Sequence, residues 1–187
     1  LPKEAKLVTK ARKIKMLLMD VDGVLTDGGI IYGGGPGIEI ELKKFHVQDG
    51  TAITLAHRGG LKTGIITGRE SLVVARRAQE LQMAEIYQKT HSKTQAFQEI
   101  LARHGLKEEE VAFIGDDLID IPVMARAGLA IAVANAQEEV KAQAHWVTKA
   151  SGGQGAVREA VNFLLKAQGT WEMATQRYFQ NSQKSSQ

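Results

Sequence analysis

A chain of 187 residues that is 43% hydrophobic and 24% charged has the make-up of one soluble globular domain with a core of its own. Its net charge of +3 comes without a long Lys/Arg block, which argues against a nucleic-acid partner, and no apolar run reaches the length of a membrane span. The lack of cysteine excludes a disulfide framework, a zinc–thiolate centre and a cysteine nucleophile; with no signal peptide evident, the expected compartment is the cytoplasm.

Residues 1–13 are basic and read as a frayed or helical lead-in. The apolar run 14–19 predicts a buried strand that ends in the loop Asp20-Val21-Asp22-Gly23-Val24-Leu25-Thr26-Asp27-Gly28. Alternating residues on both sides of Gly33-Gly34-Gly35-Pro36-Gly37 predict a β-hairpin over 30–43, with the glycine-rich stretch as its turn. Its apolar face needs a cover that a small domain lacks, which points to another subunit. A helix is expected over 50–58 with Asp49 as its N-cap, then a strand over 62–66 ending in Thr67-Gly68-Arg69. Helical spacing runs from 71 to about 81, and 86–87 reads as a short strand. Ser92 is placed to cap a helix over 93–104 that stops at Gly105. The apolar run 111–114 predicts a strand leading into Gly115-Asp116-Asp117-Leu118-Ile119-Asp120, followed by a helix over 121–127. Further strands are expected at 129–133 and 145–147, and a helix at 156–168 opened by Ser151-Gly152-Gly153-Gln154-Gly155.

Strands and helices alternating in this way imply an α/β fold: a Rossmann-like, doubly wound, mostly parallel sheet with helices on both faces. The expected organisation is a single domain over 1–187, with a core over about 14–169 and a polar C-terminal tail over about 170–187. A β-hairpin protrudes, and no cap domain is present.

Parallel strands put their C-terminal ends on one edge of the sheet, where ligands bind. Asp20 and Asp22, Thr67 with Arg69, and Asp116 with Asp117 and Asp120 all fall at such ends, and Lys93 begins a helix beside them. Clustered carboxylates repel one another, and a divalent cation relieves that repulsion; all-oxygen ligands favour Mg²⁺. The set reads as machinery for phosphoryl transfer, with Asp20 as nucleophile and Asp22 as the acid and base. Thr67 and Lys93 would hold the phosphoryl oxygens, and Asp20, Asp116 and the backbone carbonyl of Asp22 the metal. Asp117 and Asp120 are expected to orient Lys93, a metal-bound water or the loop. Each group alone has an ordinary reading: Thr67 as a helix cap, Lys93 as a solvated lysine, the acidic loop as a cap cluster or calcium loop.

These motifs resemble those of the haloacid dehalogenase superfamily of phosphohydrolases. The loop from Asp20 to Gly28 is similar to its first motif, Ile65-Ile66-Thr67-Gly68-Arg69 to its second, Lys93 to its third, and the segment from Gly115 to Asp120 to its fourth. Phe45-His46-Val47-Gln48-Asp49-Gly50 and Gly152-Gly153-Gln154-Gly155-Ala156-Val157-Arg158-Glu159 resemble more narrowly the octulosonate phosphatase branch. The resemblance implies Mg²⁺-dependent hydrolysis of a small anionic sugar phosphate, through an aspartyl-phosphate, in lipopolysaccharide synthesis. By position it implies substrate contacts from Asp22, His46, Val47, Gln48, Asp49, Gly50, Arg69, Arg77 and Lys93. It also implies a homotetramer in which the hairpins of neighbours complete the active sites.

The interval between Asp20 and Thr67 is used up by the hairpin and one helix, and that between Thr67 and Lys93 by a helix and a short strand, so no cap fits. Arg69 and Arg77 lie eight residues apart on one expected helical face and suit a sugar carboxylate, although an exposed basic face is the plainer reading. His46 can equally make a backbone hydrogen bond at the hairpin's end. Gln48 and Gln154 depart from the branch, standing where basic residues are expected. Trp171, Tyr178 and Phe179 in the tail suit either a lid over a neighbour or the packing of an end helix. A phosphatase for nonulosonate 9-phosphates and a non-catalytic regulatory module are the alternative readings.

Overall fold

The chain is described here by a computed structural model covering residues 3–180. Helix α1 (Lys3–Ala11) leads into strand β1 (Met16–Met19), whose four residues are all buried. That is why the run lacks alternation: a central parallel strand is covered on both faces. Strand β4 (Lys62–Ile66) pairs parallel with β1 on one side, and β6 (Val111–Gly115) on the other. Beyond them lie β5 (Glu85–Tyr87) next to β4, and β7 (Leu129–Ala132) then β8 (Trp146–Val147) next to β6. The order β5-β4-β1-β6-β7-β8, parallel throughout, starts in the middle and winds outward first one way and then the other. The reversal places a crevice at the C-terminal end of β1, between β4 and β6.

One helical layer is formed by α1, α2 (Val47–Arg58), α7 (Ala156–Gln168) and α8 (Trp171–Gln180), which pack on one another. The other contains α4 (Lys93–His104), α5 (Ile121–Met124) and α6 (Glu138–Gln143). Helix α3 (Leu72–Glu80) turns Val74 and Ala78 inward. The core between the layers is continuous, from Met16 and Leu18 through Phe97 and Phe113 to Leu164. The sheet, the two helical layers and the absence of a cap among the described residues agree with the fold read from the sequence.

Local signals are accurate where a side chain meets its own backbone. Ser92 accepts from the Gln95 N–H, and α4 ends at Gly105 in the left-handed region at φ 60°. Elsewhere the structure corrects the expectation. The first strand begins at Met16 rather than at residue 14, and α5 stops at Met124 rather than at 127. The hairpin strands are β2 (Ile31–Gly35) and β3 (Ile38–Leu42), paired Ile31 with Leu42 through Gly35 with Ile38. Gly33, Gly34 and Gly35 are therefore strand residues, and only Pro36 and Gly37 form the turn. Helix α6 carries too short a pattern to be read in advance. The tail's residues 171–180 form α8, which buries Ala174 and Thr175, while 181–187 fall outside the described residues.

Candidate active site

Asp20 follows β1 directly, Asp116 follows β6, and Lys93 is the first residue of α4; all three meet at the crevice. The Lys93 ammonium is 2.9 Å from Asp20 Oδ2 and donates to Asp120 Oδ1 at 2.7 Å, with all three side chains 6% exposed or less. Asp20 Oδ1 accepts from the Val21 N–H at 2.7 Å. Asp120 Oδ2 accepts from the N–H groups of Asp116 and Asp117, at 3.0 and 3.3 Å, so Asp120 ties Lys93 to the acidic loop. Asp116 Oδ1 is buried with no hydrogen-bond partner.

Oxygens of Asp20, Asp116 and Asp120 lie within 4.8 Å of one another. Burial pushes Asp20 up to about 6, against the pull of Lys93, with Asp120 adding to the rise. Burial pushes Asp116 up to about 7, helped by Asp20, Asp120 and Asp117. For Lys93 burial acts downward, but the two carboxylates outweigh it and its pKa is raised. A single ammonium among several acids leaves negative charge uncompensated, and the partnerless Asp116 oxygen points at that excess. Hard oxygen donors of this kind fit Mg²⁺. Both Asp120 oxygens are engaged, and Asp20 meets the Val21 N–H and Lys93, so of these three acids Asp116 alone keeps a buried oxygen without a partner; the Asp22 side chain is not in the group.

Backbone packing holds this geometry. A Cβ on Gly23, whose φ is +91°, would lie 2.0 Å from Asp116 Oδ2, so the acidic loop of one strand nests against the loop of another. A Cβ on Gly152 would lie 1.6 Å from the Gly23 oxygen. Gly152 N–H donates to Asn135 Oδ1 at 2.8 Å, and Gly153 N–H to the Val24 oxygen at 2.9 Å. The glycine-rich segment before α7 therefore locks the Asp20 loop from behind.

Thr67 is buried and its Oγ1 accepts from the Arg69 N–H at 3.4 Å. It caps no helix, since Ser71 caps α3 through the Val74 N–H. Asp22 turns toward the hairpin. Its Oδ1 accepts from Lys43, and its Oδ2 lies 3.6 Å from Arg69 Nε. Arg69 also donates to the Tyr32 hydroxyl at 2.8 Å, and Glu41 Oε2 accepts from Ser71 Oγ at 2.5 Å. Beside these groups a cleft of about 570 Å³ opens between hairpin and α3, lined by Tyr32, Ile40, Glu41, Arg69 and Leu72.

The remaining candidates are scattered along α2 and α3. Asp49 caps a helix other than its own: Oδ2 accepts from Gly155 N–H at 3.2 Å and Oδ1 from Arg158 N–H at 2.8 Å, both at the start of α7. The N-cap position of α2 is His46, whose side chain makes no cap bond; its Nδ1 is 3.9 Å from Asp49 Oδ2. Val47 and Gln48 are exposed, and Gly50 is buried under Arg77, whose Nη2 a Cβ there would meet at 2.3 Å. Arg69 and Arg77 do not share a helical face, because α3 begins only at Leu72. Arg77 lies over the Phe45 ring, 5.9 Å from its centroid, and near Glu80 at 3.4 Å. Lys43 and Glu41 were missed as site residues; the signal for them was the strand alternation that sends both to the face opposite Lys44.

Residues 70–160 match the family model of the haloacid dehalogenase-like hydrolases. The chain is 43% identical to 3-deoxy-D-manno-octulosonate 8-phosphate phosphatase KdsC of Escherichia coli, over 92% of this chain and 90% of that protein. A Legionella pneumophila structure described as a HAD superfamily (subfamily III A) hydrolase superposes with a TM-score of 0.90 at 40% identity, covering 95% and 96% of the two chains. The Moraxella catarrhalis octulosonate 8-phosphate phosphatase, solved with magnesium ion, phosphate ion and KDO, superposes at 0.88 with 38% identity over 92% and 98%.

Proposed function

We propose that this chain, which belongs to the haloacid dehalogenase-like hydrolase superfamily in its capless branch, is a Mg²⁺-dependent phosphatase acting on 3-deoxy-D-manno-octulosonate 8-phosphate in lipopolysaccharide biosynthesis. One observation carries the reading: a buried carboxylate at a strand end, Asp20, is paired to a buried lysine beside a carboxylate with a buried, unpartnered oxygen, Asp116. A structural ion pair needs no third, unpaired acid.

In this reading an Asp20 oxygen attacks phosphorus, the bond from phosphorus to the sugar oxygen breaks, and Asp22 gives that oxygen its proton. Asp22, now ionised, takes a proton from the water that attacks the aspartyl-phosphate, releasing inorganic phosphate and restoring Asp20. Lys93, fixed by Asp120, neutralises charge on the phosphoryl oxygens, and the Thr67 hydroxyl donates to them. Asp20, Asp116 and the Asp22 carbonyl hold Mg²⁺, which supplies electrostatic stabilisation of the transferring group.

The sugar end is recognised at the rim, by Arg69, Arg77 and the segment from His46 to Gln48, with Asp49 and Gly50 buried behind it. Ile31, Ile38, Ile40 and Leu42 share one face of the hairpin and are each 45–61% exposed. A contiguous apolar surface of this kind calls for a partner, and the reading assigns it to neighbours in a homotetramer that close the open site. The chain is then a single domain whose catalytic unit is the assembly.

Phosphate release from the octulosonate 8-phosphate, measured with and without Mg²⁺ beside a nonulosonate 9-phosphate, tests this. Mg²⁺-dependent turnover preferring the eight-carbon substrate by at least ~10-fold is expected; preference for the nine-carbon sugar, or no turnover of either, would sink the assignment.

A further inference from the structure

The side chain of Lys43 is 0% exposed, although lysine is among the residues least often buried. Its position follows from the chain path. An isolated antiparallel bridge between Thr26 and Phe45 staples the root of the hairpin to the loop that carries Asp20 and Asp22. Residues alternate inward and outward as the chain leaves β3, so Lys44 turns out to meet Asp27 at 3.2 Å while Lys43 turns in. There its ammonium donates to Asp22 Oδ1 and sits 3.6 Å from Glu41 Oε1. Arg69, arriving from the loop after β4, faces the other Asp22 oxygen.

We infer that Lys43 is a positioning residue for the phosphatase reaction: from the hairpin root it grips one oxygen of Asp22 while Arg69 faces the other, fixing the carboxylate that serves the leaving group. The inference rests on the reading of Asp22 as acid and base. A carboxylate on a loop is free to rotate about two side-chain bonds, and productive proton transfer needs one orientation. The Lys43 bond to one oxygen removes that freedom, while Arg69, 3.6 Å from the other and not hydrogen-bonded to it, leaves that oxygen to carry the proton. Burying an ammonium costs several kcal/mol unless its partners are well placed, so a lysine held here for packing alone is a poor solution compared with an apolar residue. The same geometry makes hairpin placement felt at Asp22: whatever seats β2 and β3 also seats Lys43.

The test uses leaving groups that differ in their need for a proton. The ratio kcat/KM reports phosphoryl transfer to Asp20 and is blind to later hydrolysis of the intermediate. Lys43→Met, Lys43→Arg and Asp22→Asn are compared on the octulosonate 8-phosphate, an alkyl ester, and on 4-nitrophenyl phosphate, whose leaving group departs unprotonated. Lys43→Met should lose ~10²-fold on the alkyl ester and under about 3-fold on the nitrophenyl ester, Asp22→Asn should show the same selectivity more strongly, and Lys43→Arg should recover much of the loss. Equal losses on both esters for Lys43→Met, with Asp22→Asn still selective, would reduce Lys43 to a structural role and leave Asp22 as the acid. Equal losses for Asp22→Asn itself would overturn both. Thermal melts of each variant separate misfolding from loss of positioning.

Discussion

Two ionic clusters built on buried acids sit at opposite ends of the same sheet, and their difference separates a fastening from a working site. At the N-terminal edge Glu85, 5% exposed, meets Arg103 at 2.5 Å and His104 at 2.7 Å, and Lys62 approaches His104 at 2.9 Å. One acid is surrounded by bases, and both its oxygens are engaged. At the C-terminal edge Asp20, Asp116 and Asp120 share one lysine, and an Asp116 oxygen has no partner at all. The first cluster is complete in the folded chain. The second is left short of positive charge, at a cost to the fold, and a divalent cation from outside would balance it.

The sharpest way to break this contrast is to neutralise one acid at each end. Asp20→Asn should abolish turnover by ~10³-fold or more while leaving the melting temperature of the metal-free protein unchanged or higher, because it removes a charge that burial opposes. Glu85→Gln should leave kcat/KM within about 2-fold and lower Tm by ~5 °C, the shift that roughly 2 kcal/mol produces in a chain of this size. Parallel phosphate-release assays and calorimetry on both variants would read this, and the opposite pattern would show that the two ends have been assigned the wrong way round.

Magnesium and pH sharpen the comparison further. Asp116 and Asp20 have folded pKa values raised to about 7 and about 6, above those of an unfolded chain. A raised carboxylate pKa means that the native state takes up protons as pH falls through those values and is stabilised by doing so. Above pH 7 both groups are ionised and repel, so the metal-free site destabilises the fold most there. Saturating Mg²⁺ should therefore raise Tm by several degrees at pH 8, in keeping with ~2.7 kcal/mol at a hundred times Kd, and by much less at pH 5.5. Scanning calorimetry at the two pH values with and without Mg²⁺ measures it; an equal shift at both would place the metal away from these acids.

The smallest effect belongs to Asp49, which serves the site at one remove. Asp49→Ala removes the acceptor from the N-terminus of α7 and should cost ~1–2 kcal/mol, read as a Tm lower by about 2–6 °C. Because the segment before α7 backs the Asp20 loop, a modest fall in activity should accompany it. A variant with wild-type Tm would show that α7 is capped by other means.

Much of the architecture was legible because it is written in neighbouring residues. A continuous apolar run is a central parallel strand, and the polar residues just after it must lie at a strand end: Asp20, Thr67 and Asp116 were placed by that rule alone. Ser92 and Gly105 bound α4 because a cap and a left-handed stop act on their own backbone. What the sequence could not say is which partner each inward side chain meets. Periodicity turns Lys43 inward, but only the stapled hairpin root brings it to Asp22. An acid at a helix start reads as that helix's cap, yet Asp49 spends its oxygens on a helix that begins more than a hundred residues later. Asp120 was expected to orient Lys93, a metal-bound water or the loop, and the fold has it serve both Lys93 and the loop, one oxygen for each. Local order follows from sterics and hydrogen bonds along the chain, whereas the pairing of charges is settled by which distant segments the core brings within 3 Å.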